Sequence, residues 1–427
     1  MSSRPSPSSP LEQEIEEMGR RARQAALRLP LCSTDSKNAA LLALAEAIEA
    51  EQTAILAANE IDLAEGQSKG LSAAMMDRLA LDPQRLRKIA QDVRDIAQLP
   101  DPVGETLEEF TGADGIEIRK VRVPIGVVGI LYESRPNVTC DAAALCLKSG
   151  NATILRGGKE AIHSNRALAA ALQRGLEGTE MPTDAIQLVS HTDRESVRHL
   201  CQLSEFLDVL IPRGGQGLIR AVTSMATMPV LKHFDGICHM YLDASADPQM
   251  AVDLVDNAKT QRPGVCNALE TLLVDQAVAH SFLPKIAERL WEKGVELRGD
   301  AATREILGSK IIPATEEDWR TEYLALILSI RVVDGLDMAV EHINRYGSRH
   351  SDAIVSTDPK RAALFQTAVD SSAVFWNTST RYNDGGCFGF GAEIGISTDK
   401  LHARGPCGLK ELTSYKYLVK SEGQTRH

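Results

Sequence analysis

Cys266 lies in Gln261-Arg262-Pro263-Gly264-Val265-Cys266-Asn267, immediately before the apolar run Leu269 to Val274. Glycine and proline let such a loop bring its backbone close to another group, and the Arg262 guanidinium supplies positive potential that favours thiolate over thiol. A cysteine of this kind can attack an electrophilic carbonyl and carry an acyl group. Most cysteines do something plainer and fill core space as small apolar residues. Cys140, Cys146 and Cys201 sit among apolar neighbours in helical patterns and fit that description. Cys387, in Gly385-Gly386-Cys387-Phe388-Gly389, is the rival nucleophile. The eight cysteines include no C-x-x-C pair and no histidine cluster stands at zinc-ligand spacing, so no metal is expected.

Two glycine turns carry cations. Arg156-Gly157-Gly158-Lys159 follows an apolar run, where flexible backbone and two positive side chains could hold a phosphate; alone, it is equally a turn with solvated charges. Arg213-Gly214-Gly215-Gln216-Gly217 repeats the arrangement before a helical pattern from Leu218 to Met225, whose first amides attract anions. The G-x-G-x-x-G fingerprint and the P-loop are both missing, so a nucleotide would need another device. Asn137, after Arg135-Pro136, offers an amide N–H₂ that could donate to an oxyanion, though an asparagine there is more commonly a turn residue.

These residues need elements to hold them. Residues 11 to about 100 read as helical, with a cap at Ser33-Thr34-Asp35 and a helix from Asp82 to Leu99 that has Pro83 near its start. Gly115 to Val123 alternates as a half-exposed strand, whereas Ile125 to Tyr132 is apolar throughout, as in a parallel sheet covered on both faces. Strands then alternate with helices: Ala152–Leu155, Ile186–Val189 and Leu207–Ile211, with helices from Asp141 to Lys148, Asn165 to Leu176 and around Glu195 to Leu203. A second series runs Leu269–Val274, Leu324–Val333, Ala353–Ser356 and Ala373–Trp376. The rhythm predicts α/β architecture with ligands at the carboxyl ends of parallel strands.

The chain has 427 residues, enough for two or three domains, with 43% hydrophobic and 25% charged residues. Its 47 basic and 58 acidic residues leave a net charge of −11, which disfavours non-specific binding to nucleic acid or anionic membranes. Met1 to Pro10 is Ser/Pro-rich without an apolar signal core and reads as a frayed tail. With reduced thiols and no apolar run of membrane-spanning length, the expectation is a soluble cytoplasmic protein.

Taken together, these blocks resemble the aldehyde dehydrogenase superfamily and, within it, the γ-glutamyl phosphate reductase family. The most specific segment is Val333-x₅-Ala339-Val340-x-His342-Ile343-x₂-Tyr346-Gly347-Ser348-x-His350-Ser351-Asp352-x-Ile354, supported by Glu133-Ser134-Arg135-Pro136-Asn137, the Cys266 loop and Trp376-Asn377-Thr378-Ser379-Thr380-Arg381. The resemblance implies an aldehyde dehydrogenase-like α/β fold. In it, residues 1–108 and 124–235 form a Rossmann-like cofactor domain, 236–395 a catalytic domain, and 109–123 with 396–427 an oligomerisation flap. It implies Cys266 as nucleophile and Asn137 as oxyanion donor. NADP would be held by Arg156 and Lys159 at the adenosine ribose, Gly214 and Gly215 beside the pyrophosphate, and Glu322 at the nicotinamide ribose. Arg381 and Arg135 are the candidates for substrate binding, Arg381 through a bidentate grip on a carboxylate.

The activity so implied is NADPH-dependent reduction of L-glutamate 5-phosphate to the 5-semialdehyde through a thioester on the cysteine, in proline biosynthesis. A homo-oligomer is expected, with the upstream glutamate kinase as a candidate partner. Hydrolytic members place a glutamate base before a Gly-Gly pair, where this chain reads Lys232-His233-Phe234-Asp235-Gly236. The change favours reduction, although His233 or Asp235 could substitute for the missing base. The alternative is therefore a hydrolytic NAD(P)-dependent aldehyde dehydrogenase.

Overall fold

A computed structural model describes Ser9–Arg426. The chain divides into two compact units. One holds the chain up to Lys232 with Phe390–Gly395 and everything from Cys407 onward; the other holds His233–Gly389 and Ile396–Pro406. Among the described residues, no helix is long and apolar enough to cross a membrane. Of the expected N-terminal tail, residues 1–8 lie outside the described residues, while Ser9 and Pro10 begin structure. The Ser9 hydroxyl accepts the Glu12 N–H at 3.1 Å and Pro10 opens the helix Pro10–Arg28.

In the first unit, helices Thr34–Ala50, Gln52–Ser68 and Pro83–Gln98 precede a four-stranded parallel sheet. Its order is Ile186–Leu188, Ala152–Arg156, Val127–Tyr132, Val209–Arg213. The central strand Val127–Tyr132 is buried at every residue, as its unbroken apolar run required. The chain adds two strands to one side of it and then crosses to the other, which makes its carboxyl end a topological switch point. The helix expected from Asp141 starts earlier, at Asn137, because Pro136 already has helical backbone angles. A separate antiparallel sheet pairs Glu117–Pro124 with Thr106–Thr111 on one side and Thr413–Lys420 on the other. The strand expected to be half-exposed is therefore the paired middle of three.

The second unit is built on a seven-stranded parallel sheet. Its order is Ile312–Pro313, Glu296–Gly299, Ile327–Val333, Leu269–Asp275, Cys238–Leu242, Ser351–Val355, Ala373–Trp376. Cys238–Leu242 had not been anticipated as a strand, since Cys238-His239 breaks its apolar pattern. Across the ladder His239 is paired with Asp352, Nδ1 to Oδ1 at 3.0 Å, both fully buried. A second buried pair sits beside the strand that follows Cys266. The Lys259 ammonium donates to the Leu269 carbonyl at 2.8 Å and to Glu270 Oε2 at 2.5 Å, with no exposed side-chain surface on either residue.

Removing one member of such a pair strands the other charge. Lys259→Met is expected to lower unfolding stability by about 3–5 kcal/mol, and Lys259→Met with Glu270→Leu to recover most of that loss. Urea denaturation of the three proteins checks this; a double variant no more stable than the single one contradicts it.

Candidate active site

The Cys266 loop is fixed by its backbone. A Cβ built on Gly236 would stand 1.8 Å from the Cys266 carbonyl oxygen, so this position accepts only glycine. The Gly236 N–H is in turn held by Glu322 Oε1 at 2.9 Å, and the Cys238 thiol donates to that same Cys266 carbonyl at 3.2 Å. From the opposite side, the Thr380 hydroxyl donates to the Asn267 carbonyl at 2.7 Å and Asn267 Nδ2 donates to the Asn383 carbonyl at 3.0 Å. The Trp376–Arg381 block thus serves first as a clamp on the Cys266 loop. Cys266 is partly exposed, Cys387 is exposed, and Cys140, Cys146, Cys201, Cys238 and Cys407 are buried. Burial raises the thiol pKa of Cys140, Cys146, Cys201 and Cys238, which keeps them in the unreactive form.

Arg381 donates from Nε to Gln261 Oε1 at 2.8 Å. Its guanidinium is pushed below its usual range by burial and by the like charge of Arg262, while Cys266 pulls it back up. That attraction is mutual, so Arg381 favours a negative sulfur. Two carboxylates back the loop. Burial raises Glu270, opposed by Lys259, and Glu270 Oε1 accepts the Leu324 N–H at 3.2 Å. Burial likewise raises Glu322, the residue carried over as ribose ligand, which the structure uses to anchor Gly236. His233, the candidate substitute base, donates from Nδ1 to the Ile396 carbonyl at 2.8 Å.

In the first unit the carboxyl ends of three strands stand side by side, Leu131 opposite Arg156 and Tyr132 opposite Arg213. Two of the turn glycines are closely approached by side chains: a Cβ would lie 2.1 Å from Asn165 Nδ2 at Gly157 and 2.5 Å from Glu133 Oε2 at Gly214. Gly214 and Gly215 are exposed at the start of the helix Gln216–Met225, and Lys159 is exposed after the other turn. An exposed helix start and a nearby cation at a switch point fit the phosphates of a dinucleotide. Two features go beyond the sequence reading. Glu133 Oε2 already accepts the Gly215 N–H at 2.7 Å, holding the helix start with the chain's own anion. Arg156 is spent on the carbonyls of Gly157, Thr192 and Asp193, and its Nε is buried without a hydrogen-bond partner. Lys159 is thus the better placed cation for an added phosphate.

Arg135 is exposed, and its carbonyl accepts the Val138 N–H at 3.1 Å. Asn137 is the first residue of its helix, and one N–H of its amide goes to Asp141 Oδ2 at 2.8 Å. Burial pushes the Asp141 carboxyl up to about 6, only partly offset by that bond. Glu133, Asp141, Cys238 and Glu270 all escaped the sequence reading. Asp141 alone left a trace, four residues after Asn137 on the same helix face.

Comparison with known proteins places this geometry. The model of the aldehyde dehydrogenase family matches residues 8–305. The gamma-glutamyl phosphate reductase of Moorella thermoacetica is 56% identical over 413 residues, 97% of this chain and 99% of that protein. The crystal structure of gamma-glutamyl phosphate reductase from Thermotoga maritima superposes with a TM-score of 0.95 at 46% identity, covering 97% of this chain and 100% of that one. An acetylating aldehyde dehydrogenase from Geobacillus thermoglucosidasius, at 17% identity, shares the fold with a TM-score of 0.69 over 98% of both chains.

The Asp141 carboxyl binds its proton more readily in the folded chain than in the unfolded one. Stability from this group is therefore greatest at acid pH and falls as pH rises through the window from the ordinary carboxylate range to about 6. Asp141→Asn keeps an oxygen acceptor for Asn137 but removes the charge. It is expected to unfold at higher urea than the parent at neutral pH, with the gain shrinking towards about pH 4. Urea midpoints across that range test it; a gain that grows on acidification contradicts the assignment.

Proposed function

The chain belongs to the aldehyde dehydrogenase family and, within it, to the γ-glutamyl phosphate reductases, and on that premise we propose its reaction. It reduces L-glutamate 5-phosphate to L-glutamate 5-semialdehyde with release of phosphate, the reductive step of proline biosynthesis. The reading is carried by the Cys266 loop, a partly exposed thiol on a clamped backbone with Arg381 close enough to favour its negative charge.

The Cys266 thiolate attacks the acyl carbonyl, forming the S–C bond. Asn137 is the proposed donor to the tetrahedral oxyanion, with one N–H of its amide held by Asp141 to orient the group. The C–O bond to phosphate then breaks and a γ-glutamyl thioester remains on Cys266. Lys159 and the Gly214–Gly215 turn would hold NADPH, which would supply the hydride that reduces the acyl group. Cys266 would leave as thiolate when the aldehyde is released. Arg381 is the proposed grip on the substrate's α-carboxylate, and Arg135 a second contact. The exposed side chains Phe110, Tyr415, Tyr417, Leu418 and Val419 on the antiparallel sheet support assembly into a homo-oligomer. A kinase that makes the acyl phosphate is the candidate partner.

Cys266→Ala is expected to fold normally and to lose at least about three orders of magnitude in rate, since no second nucleophile replaces it. The assay is NADP reduction by the semialdehyde, with and without phosphate. Substantial turnover by the variant refutes the nucleophile, and turnover that ignores phosphate favours the hydrolytic alternative.

Lys159→Ala separates the two dinucleotides. Loss of one charged contact to a 2′-phosphate should raise KM for NADPH about tenfold or more and leave that for NADH nearly unchanged. An equal effect on both coenzymes rules Lys159 out as the phosphate ligand.

A further inference from the structure

Spacing along the chain gave no reason to expect a metal, since the groups concerned come from three distant segments. The fold brings them together: ligand-capable atoms of His233, Cys266 and His350 all lie within 4.8 Å of one another. Each imidazole has its Nδ1 engaged by a neighbouring oxygen. His233 donates from Nδ1 to the Ile396 carbonyl at 2.8 Å, which leaves Nε2 carrying the lone pair of the neutral ring. His350 Nδ1 stands 2.8 Å from Ser351 Oγ and 3.8 Å from Cys238 Sγ, and Ser351 Oγ also accepts from Asn383 Nδ2 at 2.7 Å. In the tautomer with its proton on Nδ1, His350 donates to Ser351 Oγ and carries its lone pair on Nε2.

The His350 Nε2 atom is fully buried without a hydrogen-bond partner. A buried polar nitrogen of that kind is costly unless something occupies it. Two imidazoles and a thiolate, each imidazole tied down from behind, suit a borderline-soft ion with tetrahedral preference. Zinc bonds of roughly 2.0–2.3 Å place their ligand atoms about 3.5 Å apart, so a modest inward shift closes the set. Cys266 and His233 are both partly exposed, which supplies an entry path and the freedom to make that shift.

We propose that His233, Cys266 and His350 form a site for a thiophilic divalent cation of the zinc class, and that the bound ion withdraws the Cys266 sulfur from reaction. The bonds formed are Nε2 to metal from each histidine and Sγ to metal from the cysteine, whose thiol proton passes to solvent. Hard ions such as Mg²⁺ and Ca²⁺ prefer oxygen ligands and are excluded. The claim stands on the ligand set and survives even if the acyl-phosphate chemistry is assigned wrongly.

Co²⁺ titration of the reduced, tag-free full-length chain tests it without any assay of turnover. One cobalt per chain is expected, with a thiolate-to-cobalt charge-transfer band in the near ultraviolet that Zn²⁺ displaces and Mg²⁺ does not. Zn²⁺ should also protect Cys266 from iodoacetamide, and a chelator should restore labelling. Cys266→Ser should abolish the band, His233→Gln should weaken cobalt binding at least about tenfold, and Ser351→Ala should weaken it about 10–100-fold. Cys387→Ser should bind like the parent. A band that persists in Cys266→Ser, unaltered binding in His233→Gln, or no binding below millimolar cobalt overturns the site. His233→Gln keeps the test decisive should changes at the buried His350 or Ser351 prevent folding.

Discussion

The contact on which the site depends is between two backbones. Gly236 packs against the Cys266 carbonyl so closely that even a methyl group would overlap it. This fixes the peptide that carries the nucleophile, and most neighbouring polar groups are arranged to preserve the contact. Glu322 pins the amide of Gly236, Cys238 satisfies the Cys266 carbonyl, and Thr380 and Asn383 hold Asn267. With the backbone immobile, the sulfur is positioned by rotation about one side-chain bond, and little entropy remains to be lost when an acyl carbonyl arrives.

How much of this could be seen in the sequence follows from the range of the interactions involved. Val127–Tyr132 and Leu269–Asp275 were legible because burial on both faces leaves a continuous apolar run, a property of adjacent residues. Cys238–Leu242 was not, because His239 is tolerated in the core only through Asp352, more than a hundred residues away in the chain. Cys266 stood out through its glycine, proline and arginine neighbours, all local. The part played by Gly236 was hidden, since a glycine's purpose lies in what approaches it. Glu133 was equally hidden: a carboxylate after a buried strand reveals nothing until the Gly214–Gly215 turn is placed beside it.

The charge distribution explains how an acidic chain can favour an anionic sulfur and anionic ligands. The net charge of −11 is a surface property and leaves local sign free to vary. Around Cys266, Arg262 and Arg381 repel one another, and burial adds to the cost, so a negative group between them relieves both. At the other glycine turn the chain supplies its own anion. Glu133 satisfies the helix start, and an incoming phosphate has to exchange with it rather than fill open space. On the proposed assignment, a dinucleotide bound there would have to release one charge-assisted hydrogen bond, which would leave discrimination to contacts elsewhere, such as the one proposed for Lys159.

On the proposed mechanism, the same network bears on why a thioester on Cys266 would wait for hydride rather than water. Hydrolysis needs a base with a lone pair aimed at a water molecule beside the acyl carbon. The buried Glu270 and half-buried Glu322 that back the loop are committed otherwise. Glu270 accepts from the Lys259 ammonium and the Leu324 amide, and Glu322 accepts from the Gly236 amide. Withdrawing either to activate water would break a support of the nucleophile's own backbone, so catalysing hydrolysis and keeping the loop in place are mutually exclusive tasks for these residues. Lys259 strengthens the coupling, because burial raises the pKa of both carboxylates and its single buried ammonium opposes that rise in each. The chain thus spends near its cysteine, as scaffold, the kind of group that a hydrolytic relative would use as a catalyst.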